Sequence, residues 1–196
     1  IYFNNINGIS SNEEVQGNME FMQEKDADLW GWVETNRSWT EDQKHRTGSQ
    51  GRQIFNKFKV EAVASNDPTI DRKQPGAACI GINGNNVGAV VQSGKDNTGL
   101  GRWVYVCIGG QEQQKLYVIV AYRLCKQSNP RDSTVNAQQK RLLIQQGEIN
   151  PNPRKTWCKD MLKQIETWAN HGEVILLCDA NSGLTDKDFV PFVSSS

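Results

Sequence analysis

The chain has 196 residues, of which 37% are hydrophobic and 22% charged. These fractions exclude a disordered or membrane-embedded protein, and no apolar run approaches the roughly 20 residues that span a bilayer. The 22 basic and 22 acidic residues cancel, so contact with nucleic acid would require a local patch rather than an overall field. No linker-like stretch divides the sequence, which predicts a single domain over residues 1–196.

The first predicted elements alternate between strand and helix. The apolar run from Ile1 to Phe3 predicts a buried strand, and the capping box from Ser11 to Glu14 predicts a helix over about 11–25. A second buried strand is predicted at 28–33. Residues 38–58 are polar and interrupted by glycines, which predicts a surface segment of loop and helix.

Between Val60 and Tyr122 the pattern changes to short runs of β-branched and aromatic residues separated by turns rich in Gly and Asn. This pattern predicts antiparallel hairpins. The strands are placed near 59–65, 77–82, 87–92, 102–109 and 115–122, helices at about 133–147 and 154–170, and a final buried strand at 173–178. Helix and strand alternate at the two ends while hairpins fill the middle, which predicts a mixed α/β sandwich with helices outside.

Three of the apolar runs end at side chains whose oxygens bind metals well. Asn5 follows the first run, Glu34 the second, and Asp179 the run from Val174 to Cys178. Because buried strands bring their carboxyl ends to a common edge, we expect these side chains to converge. Carboxylates and amides gathered in this way suit a hard cation such as Mg²⁺, and the matching chemistry is phosphoryl transfer or phosphodiester hydrolysis.

Five cysteines are present and none forms a CxxC pair. Cys79, Cys107 and Cys178 lie in apolar strand patterns, where a reduced thiol behaves as a small hydrophobe. A reducing compartment is favoured, so we predict an intracellular protein, with the nucleus as a candidate location. No secretion signal is visible, although the chain starts at Ile1 without a Met and is expected to be a piece of something longer.

Four short motifs stand in a suggestive order: Asn5-Ile6-Asn7-Gly8, Val33-Glu34-Thr35, Ala121-Tyr122 and Cys178-Asp179-Ala180-Asn181. In this order they resemble the endonuclease/exonuclease/phosphatase superfamily, which includes abasic-site endonucleases and pancreatic deoxyribonuclease. The resemblance runs nearly end to end. It implies a four-layer α/β/β/α sandwich of two mixed, mainly antiparallel sheets, with the site at one edge of the paired sheets.

Within this resemblance, chemistry suggests the roles of the site residues. Glu34 would be the principal Mg²⁺ ligand, helped by Asn5, with Mn²⁺ as a substitute ion. Asp179 would orient the attacking water or accept its proton, and Asn181 would donate hydrogen bonds to the phosphate. Tyr122 could hydrogen-bond the scissile phosphate, and plain packing is the alternative interpretation.

Further candidates lie next to turns and strand ends. Asn7 could support the site, with a simple turn as the equal alternative. Arg72, Lys73, Arg102 and Arg123 are candidates for binding backbone phosphates, although most charges in such places are merely solvated. The tryptophans Trp30, Trp32 and Trp103 could stack on bases, but their place in strand patterns favours a core position.

A narrower resemblance rests on further segments: Glu34-Thr35-Asn36 with Trp39, Gly101-Arg102-Trp103, Ala121-Tyr122-Arg123 and Ala137-Gln138-Gln139-Lys140-Arg141. They are similar to endonuclease-like domains attached to reverse transcriptases in retroelements of algae and other microbial eukaryotes. This resemblance implies a Mg²⁺-dependent endonuclease domain that nicks DNA, fused to a reverse transcriptase in the full protein. Nucleic acid, DNA first, is then the expected partner, with no membrane contact and a monomeric chain.

The chain departs from the superfamily near its C-terminal end. The family finishes with a Ser-Asp-His signature on a further strand, plus an Asp before it, and this sequence has neither. His171 precedes Asp179 across a strand and is too far from the site, while His45 is best interpreted as an exposed helical residue. We therefore expect a C-terminally truncated domain without its final strands, with an open sheet edge and weak or absent turnover.

Two alternatives to a DNA endonuclease stay open. The same metal core serves phosphoesterases that act on inositol phosphates or lipids, although the sequence offers no hydrophobic loop that would face lipid. The other alternative is a catalytically incomplete nucleic-acid-binding remnant, which the missing histidine supports directly.

Overall fold

The structure is a computed structural model that describes residues 1–68, 74–126, 131, 133–183 and 185–195. Arg72 and Lys73, two of the predicted phosphate-binding residues, lie outside the described residues. Within the part that is described, no helix is both long enough and apolar enough to cross a membrane.

The elements follow one another in the predicted order. They are β1 (Tyr2–Asn5), α1 (Asn12–Glu24), β2 (Leu29–Val33), α2 (Glu41–Phe55), β3 (Phe58–Val63), β4 (Ala78–Asn83), β5 (Val90–Lys95), β6 (Trp103–Gly109), β7 (Lys115–Tyr122), α3 (Val135–Gln145), α4 (Pro153–Ala169), β8 (Glu173–Asp179) and α5 (Val190–Ser195). Apart from β5, the predicted strands and helices are confirmed to within about two residues at each end, which is the usual uncertainty of element boundaries.

Local capping explains where two of the helices begin. The Ser11 hydroxyl accepts the Glu14 amide at 3.1 Å, and the Glu14 carboxylate accepts the amide of Ser10. At the start of α4 the Asn152 side chain accepts the amides of Arg154 and Lys155, and a proline occupies the first helical position. Both arrangements satisfy amides that have no partner inside the helix.

The strands form two four-stranded sheets. Sheet A has the order β1-β2-β4-β3, in which β1 and β2 are parallel and the other neighbours antiparallel. Sheet B has the order β5-β6-β7-β8, in which β7 and β8 form the parallel pair. The predicted mixed, mainly antiparallel sheets are therefore confirmed.

The sheets and helices stack in four layers. Helix α1 packs Met19 and Met22 against Trp30 and Trp32 on the outer face of sheet A. Helix α4 packs residues that include Trp157 against the outer face of sheet B, and aliphatic side chains of β2, β4, β6 and β7 fill the space between the sheets. This is the predicted α/β/β/α sandwich.

The predicted tryptophans are core residues. Trp30 and Trp32 are fully buried and stack on each other with ring centroids 3.9 Å apart, and Trp103 is 4% exposed. The core interpretation of these rings is confirmed, and none of them can stack on a base in this structure.

Two details of the predicted fold were wrong. The strand predicted at 87–92 begins only at Val90, because Gly84–Ala89 forms a 3₁₀ turn that carries the chain from sheet A to sheet B. As a result β4 and β5 do not form a hairpin. Strand β8 was predicted to be buried but is half-buried for most of its length, because it lies at the edge of its sheet with β7 as its neighbour.

Candidate active site

Four of the predicted site residues stand at the carboxyl ends of strands. Asn5 ends β1 and Glu34 follows β2, whereas Tyr122 ends β7 and Asp179 ends β8. Each sheet contributes one parallel pair, with Asn5 in register with Val33 and Tyr122 in register with Asp179. Because β2 packs against β7 across the sandwich, the two pairs meet at one edge, as the sequence predicts.

The Asn5 amide joins the two carboxylates. Its Nδ2 donates to Glu34 Oε2 at 2.7 Å and to Asp179 Oδ2 at 2.6 Å. Two oxygens this close to one nitrogen are separated by less than about 5.3 Å, a gap that one hydrated Mg²⁺ can bridge. Residues 174 positions apart in the chain therefore share one small site.

The other Glu34 oxygen is held by Tyr122. The Tyr122 hydroxyl donates to Glu34 Oε1, and the ring is buried in the core between the sheets. Burial raises the pKa of the Tyr122 phenol, and the hydrogen bond to Glu34 and the charge of Glu34 raise it further. The phenol is therefore neutral and donates its proton to Glu34, whereas the sequence predicted a hydrogen bond to the scissile phosphate.

The backbone turns sharply at the site residues. Asn7, Glu34, Asn36 and Asn181 have positive φ angles of 48°, 53°, 52° and 47°. Such angles are uncommon outside glycine and cost roughly 1 kcal/mol or more each. Strain of this kind persists where surrounding contacts hold it, and it concentrates at functional sites.

Asn7 contributes to the site through its backbone. Its amide donates to Asn5 Oδ1 at 3.0 Å, which directs the other half of the Asn5 amide group towards the carboxylates. Asn36, which was not predicted as a site residue, exchanges two hydrogen bonds of 2.9 Å with the backbone of Gly76. The positive φ of Asn36 could not be read from the sequence, although its place two residues after Glu34 was a usable signal.

Asn181 is held from three sides. Its backbone amide donates to Asp179 Oδ1 at 3.2 Å and its Nδ2 donates to the Arg123 carbonyl at 2.8 Å. The Cys125 thiol donates to Asn181 Oδ1 at 3.0 Å and also lies 4.0 Å from the Tyr122 hydroxyl. Sequence analysis missed Cys125, and the available signal was its position three residues after Tyr122 and outside the strand patterns.

Arg123 supports this loop from inside the protein. It is fully buried, donates to the Ser182 hydroxyl and lies 3.6 Å from the Asp186 carboxylate. Arg154, which the sequence analysis missed, donates to the same two residues and to the Asn181 carbonyl. The role of Arg123 as a surface contact for phosphate needs correction, because a side chain with no exposed area cannot reach an outside ligand.

Arg102 needs the same correction. Its side chain is fully buried, and its guanidinium donates to Asp96 at 2.7 Å and to Asp160 at 2.8 Å. It also lies over the Trp103 ring, 4.2 Å from the centroid. These contacts tie the start of β6 to α4, so Arg102 is a structural residue rather than a phosphate ligand.

Both histidines of the sequence lie away from the edge. His171 comes just before β8, at the opposite end of that strand from Asp179, and seven residues of strand at about 3.3 Å each separate them by roughly 20 Å. His45 is exposed on α2 and lies in a surface pocket with Phe58 and Glu61 of β3. The predicted positions of both histidines are confirmed.

The donor set fits a hard divalent cation. Among the residues that the structure describes, no Lys, Arg or His nitrogen lies within 4.0 Å of the Glu34 or Asp179 carboxylate, so their negative charge has no cationic partner. The same described ranges contain no group of three or more His, Cys, Asp or Glu residues that could hold a metal. Two carboxylates and an amide suit Mg²⁺, which keeps several water ligands, better than Zn²⁺.

Comparison with known proteins identifies the fold. No protein-family pattern and no curated protein sequence matches the chain. Among solved structures, the AP endonuclease LMAP from Leishmania major matches with a TM-score of 0.61 and 14% identity, over 94% of this chain and 55% of that one. An endonuclease/exonuclease/phosphatase from Bacteroides vulgatus matches with a TM-score of 0.60 and 10% identity, over 100% and 69%.

The human Nocturnin catalytic domain, solved with bound sulfate, matches with a TM-score of 0.58 and 12% identity. The alignment covers 94% of this chain and 62% of that domain, so the chain spans only part of the length of such proteins. At these identities the likeness establishes the fold. The chain has the endonuclease/exonuclease/phosphatase fold that its motifs predict.

Proposed function

We propose that this chain forms a Mg²⁺-dependent phosphodiesterase site that acts on a DNA strand, with Mn²⁺ able to replace Mg²⁺. The observation that carries the proposal is the pairing of Glu34 and Asp179 through one Asn5 amide, without a cationic partner within the described residues. The fold, which the chain shares with proteins that cleave or hydrolyse phosphate esters, supports the same conclusion.

Glu34, Asp179 and Asn5 would hold the ion. When bound, it neutralises charge on the phosphate and lowers the pKa of a coordinated water. Two carboxylates so close together repel each other when ionised. The hydrogen bonds from Asn5 and Tyr122 offset part of this repulsion and keep both groups at the edge where the cation is needed.

The protein groups divide the remaining work. Asp179 accepts a proton from the water whose oxygen attacks phosphorus, and the bond from phosphorus to the leaving oxygen breaks as that oxygen takes a proton from solvent. Asn181 has one N–H bonded to Arg123, so its second N–H is left to donate to a phosphate oxygen. Tyr122 acts as a positioning residue for Glu34.

DNA is proposed as the substrate on two grounds. The motifs around Glu34, Tyr122 and Asp179 resemble those of retroelement endonuclease domains, in which a nick would expose a primer end for a fused reverse transcriptase. A structural neighbour, LMAP, is an AP endonuclease. The retroelement setting rests on the sequence resemblance alone.

A second candidate function is a metal- and nucleic-acid-binding domain without turnover. The placement of His171 at the far end of β8 favours it, because this sequence then supplies no imidazole at the site. Absence of one member of a cooperating catalytic set lowers rates by orders of magnitude while binding survives. Slow turnover is therefore expected under the first proposal.

The test measures metal binding and cleavage separately. Mn²⁺ binding is followed by electron paramagnetic resonance, and supercoiled plasmid is incubated with Mg²⁺ or EDTA. We expect one Mn²⁺ site and slow nicking that EDTA abolishes. Glu34→Gln and Asp179→Asn should each weaken Mn²⁺ binding at least tenfold and lower nicking by about 10²-fold or more.

Glu166→Gln serves as the control, because it removes the same charge from an exposed position on α4. Metal binding without any nicking would favour the second candidate. A wild-type chain that binds no Mn²⁺ at millimolar concentration, or nicking that persists in EDTA, would rule out the metal-dependent site.

A further inference from the structure

A pocket beside the candidate site is rich in positive charge. It encloses about 360 Å³ and lies between α3, the start of α4 and the chain after β7. The residues around it include Lys126, Lys140, Arg154, Asn136, Asn152 and Asp188. We refer to this cavity as the basic pocket.

The basic pocket adjoins the catalytic edge through two direct links. Arg154 donates to the Asn181 carbonyl at 3.2 Å and to the carbonyl of Leu124. Lys126 follows Cys125, whose thiol contacts the Asn181 side chain. A phosphate held at Asn181 and an anion held in the basic pocket would therefore be neighbours along the same surface.

Positive charge exceeds negative charge in this corner. Arg123, Arg154 and Lys126 surround the single carboxylate of Asp186, at 3.6, 2.7 and 3.9 Å. Lys155 lies 3.6 Å from Asp188. Lys140 adds a further cation to the pocket, so this protein of zero net charge carries a local basic patch next to its candidate site.

Some polar atoms at the pocket residues have no partner. Arg154 Nε and Asn136 Oδ1 are buried without a hydrogen bond to any described residue. Unpaired polar groups in buried positions are costly, so their presence points to a missing ligand or water. The first amides of α4 are already capped by Asn152, so an anion here would be bound mainly by side chains.

We infer that the basic pocket binds a second phosphate of the substrate, namely a phosphodiester of the same nucleic-acid strand next to the one held at Asn181. This inference rests on the proposed function, because it takes the catalytic edge as the place of the scissile phosphate. Lysine ammonium groups bind phosphates as point charges and read no base sequence. The pocket would thus position the strand and select substrates with several phosphates over monoesters.

The test measures strand binding without turnover. Fluorescence anisotropy with a labelled 12-nucleotide strand in EDTA gives the affinity at salt concentrations from 50 to 200 mM. The double variant Lys126→Gln/Lys140→Gln should bind roughly tenfold or more weakly at the lowest salt. The slope of log affinity against log salt should fall by about 1.4, since each lost phosphate contact on a single strand removes about 0.7.

Lys163→Gln is the matched control, because it removes one charge from an exposed site on the same helix, outside the pocket. It should keep the wild-type slope. A double variant whose slope and affinity equal those of Lys163→Gln, or a wild type with no measurable affinity at 50 mM salt, would overturn the inference.

A competition arm separates a strand from a small polyphosphate. Inositol hexakisphosphate that displaces the labelled strand at a lower concentration than an unlabelled strand with six phosphates would show that the pocket prefers the small molecule, and the assignment to a strand would be wrong. Since binding is read in EDTA, a failure of metal binding or nicking leaves these readouts intact, and the two proposals can fail independently.

Discussion

The Tyr122 hydroxyl is the only side-chain group described as donating to Glu34 Oε1, so its removal isolates one positioning contact. Tyr122→Phe should lower Mn²⁺ affinity and nicking by about tenfold, the lower end of what loss of a supporting contact to a metal ligand costs. The ring and its packing stay in place. Mn²⁺ titration and plasmid nicking measure the effect.

The pH dependence of this variant provides a second check. Because the pKa of Tyr122 is raised above its usual value near 10, the phenol is protonated throughout the neutral range. The ratio between wild type and Tyr122→Phe should therefore be the same at pH 6 and pH 8.5. Tyr2→Phe, at the start of β1, is the control for the substitution itself, and a ratio that changes between these pH values would contradict the assigned protonation state.

Charge alone did not show which arginines face a ligand. Arg102 and Arg123 stand beside strand ends, as phosphate-binding residues often do, yet both are fully buried against carboxylates from distant parts of the chain. Their partners Asp160 and Asp186 lie 58 and 63 positions away. A buried ion pair of this kind leaves no local pattern, because its two members come together only in the folded chain.

The close approach of the two sheets depends on a glycine in β2. A Cβ at Gly31 would lie 2.4 Å from Val120 Cγ2 of β7, a distance that requires one of the strands to move. Strands β2 and β7 also carry Glu34 and Tyr122 at their ends, so their spacing sets the distance across the candidate site. The sequence showed the glycine but not the side chain that faces it.

Paired glycine substitutions test this packing. Gly31→Ala should lower the free energy of unfolding by about 1–3 kcal/mol through overpacking. Gly17→Ala on α1 is the matched control, because nothing lies within 4 Å of its added methyl group. It should raise stability by about 0.5–1 kcal/mol through the better helix propensity of alanine. Urea unfolding measures both, and a Gly31→Ala midpoint equal to that of wild type would show that the sheets adapt without cost.

At the scale of the whole molecule, periodicity and strand ends predicted most of the architecture. The order of elements, the two mixed sheets and the convergence of Asn5, Glu34 and Asp179 follow from apolar runs that end at polar side chains. The crossing at Gly84–Ala89 did not, because a short strand and a 3₁₀ turn have similar composition. The basic pocket also could not be predicted, since Lys126, Lys140 and Arg154 meet only through packing of α3 and α4.

Asp186 holds together three parts of the molecule, and its titration should appear in global unfolding. The Asp188 amide lowers the pKa of the Asp186 carboxyl most, and hydrogen bonds from Arg154 and Ser182 lower it further. The folded state therefore binds this proton less readily than the unfolded chain, in which an aspartate titrates near 3.9. Its stabilisation is present above about pH 5 and is lost as the pH falls below about 4.

Asp186→Asn removes this contribution and leaves the buried Arg123 and Arg154 side chains without their shared carboxylate. We expect a lower Tm at pH 7, and a gap between wild type and variant that narrows as the pH falls from 5 to 3. Asp42→Asn is the control, because Asp42 and its partner Arg46 are largely exposed and such pairs contribute little. Thermal unfolding by circular dichroism measures the gap, and a gap that stays constant over this range would mean that the Asp186 carboxylate does not couple to folding.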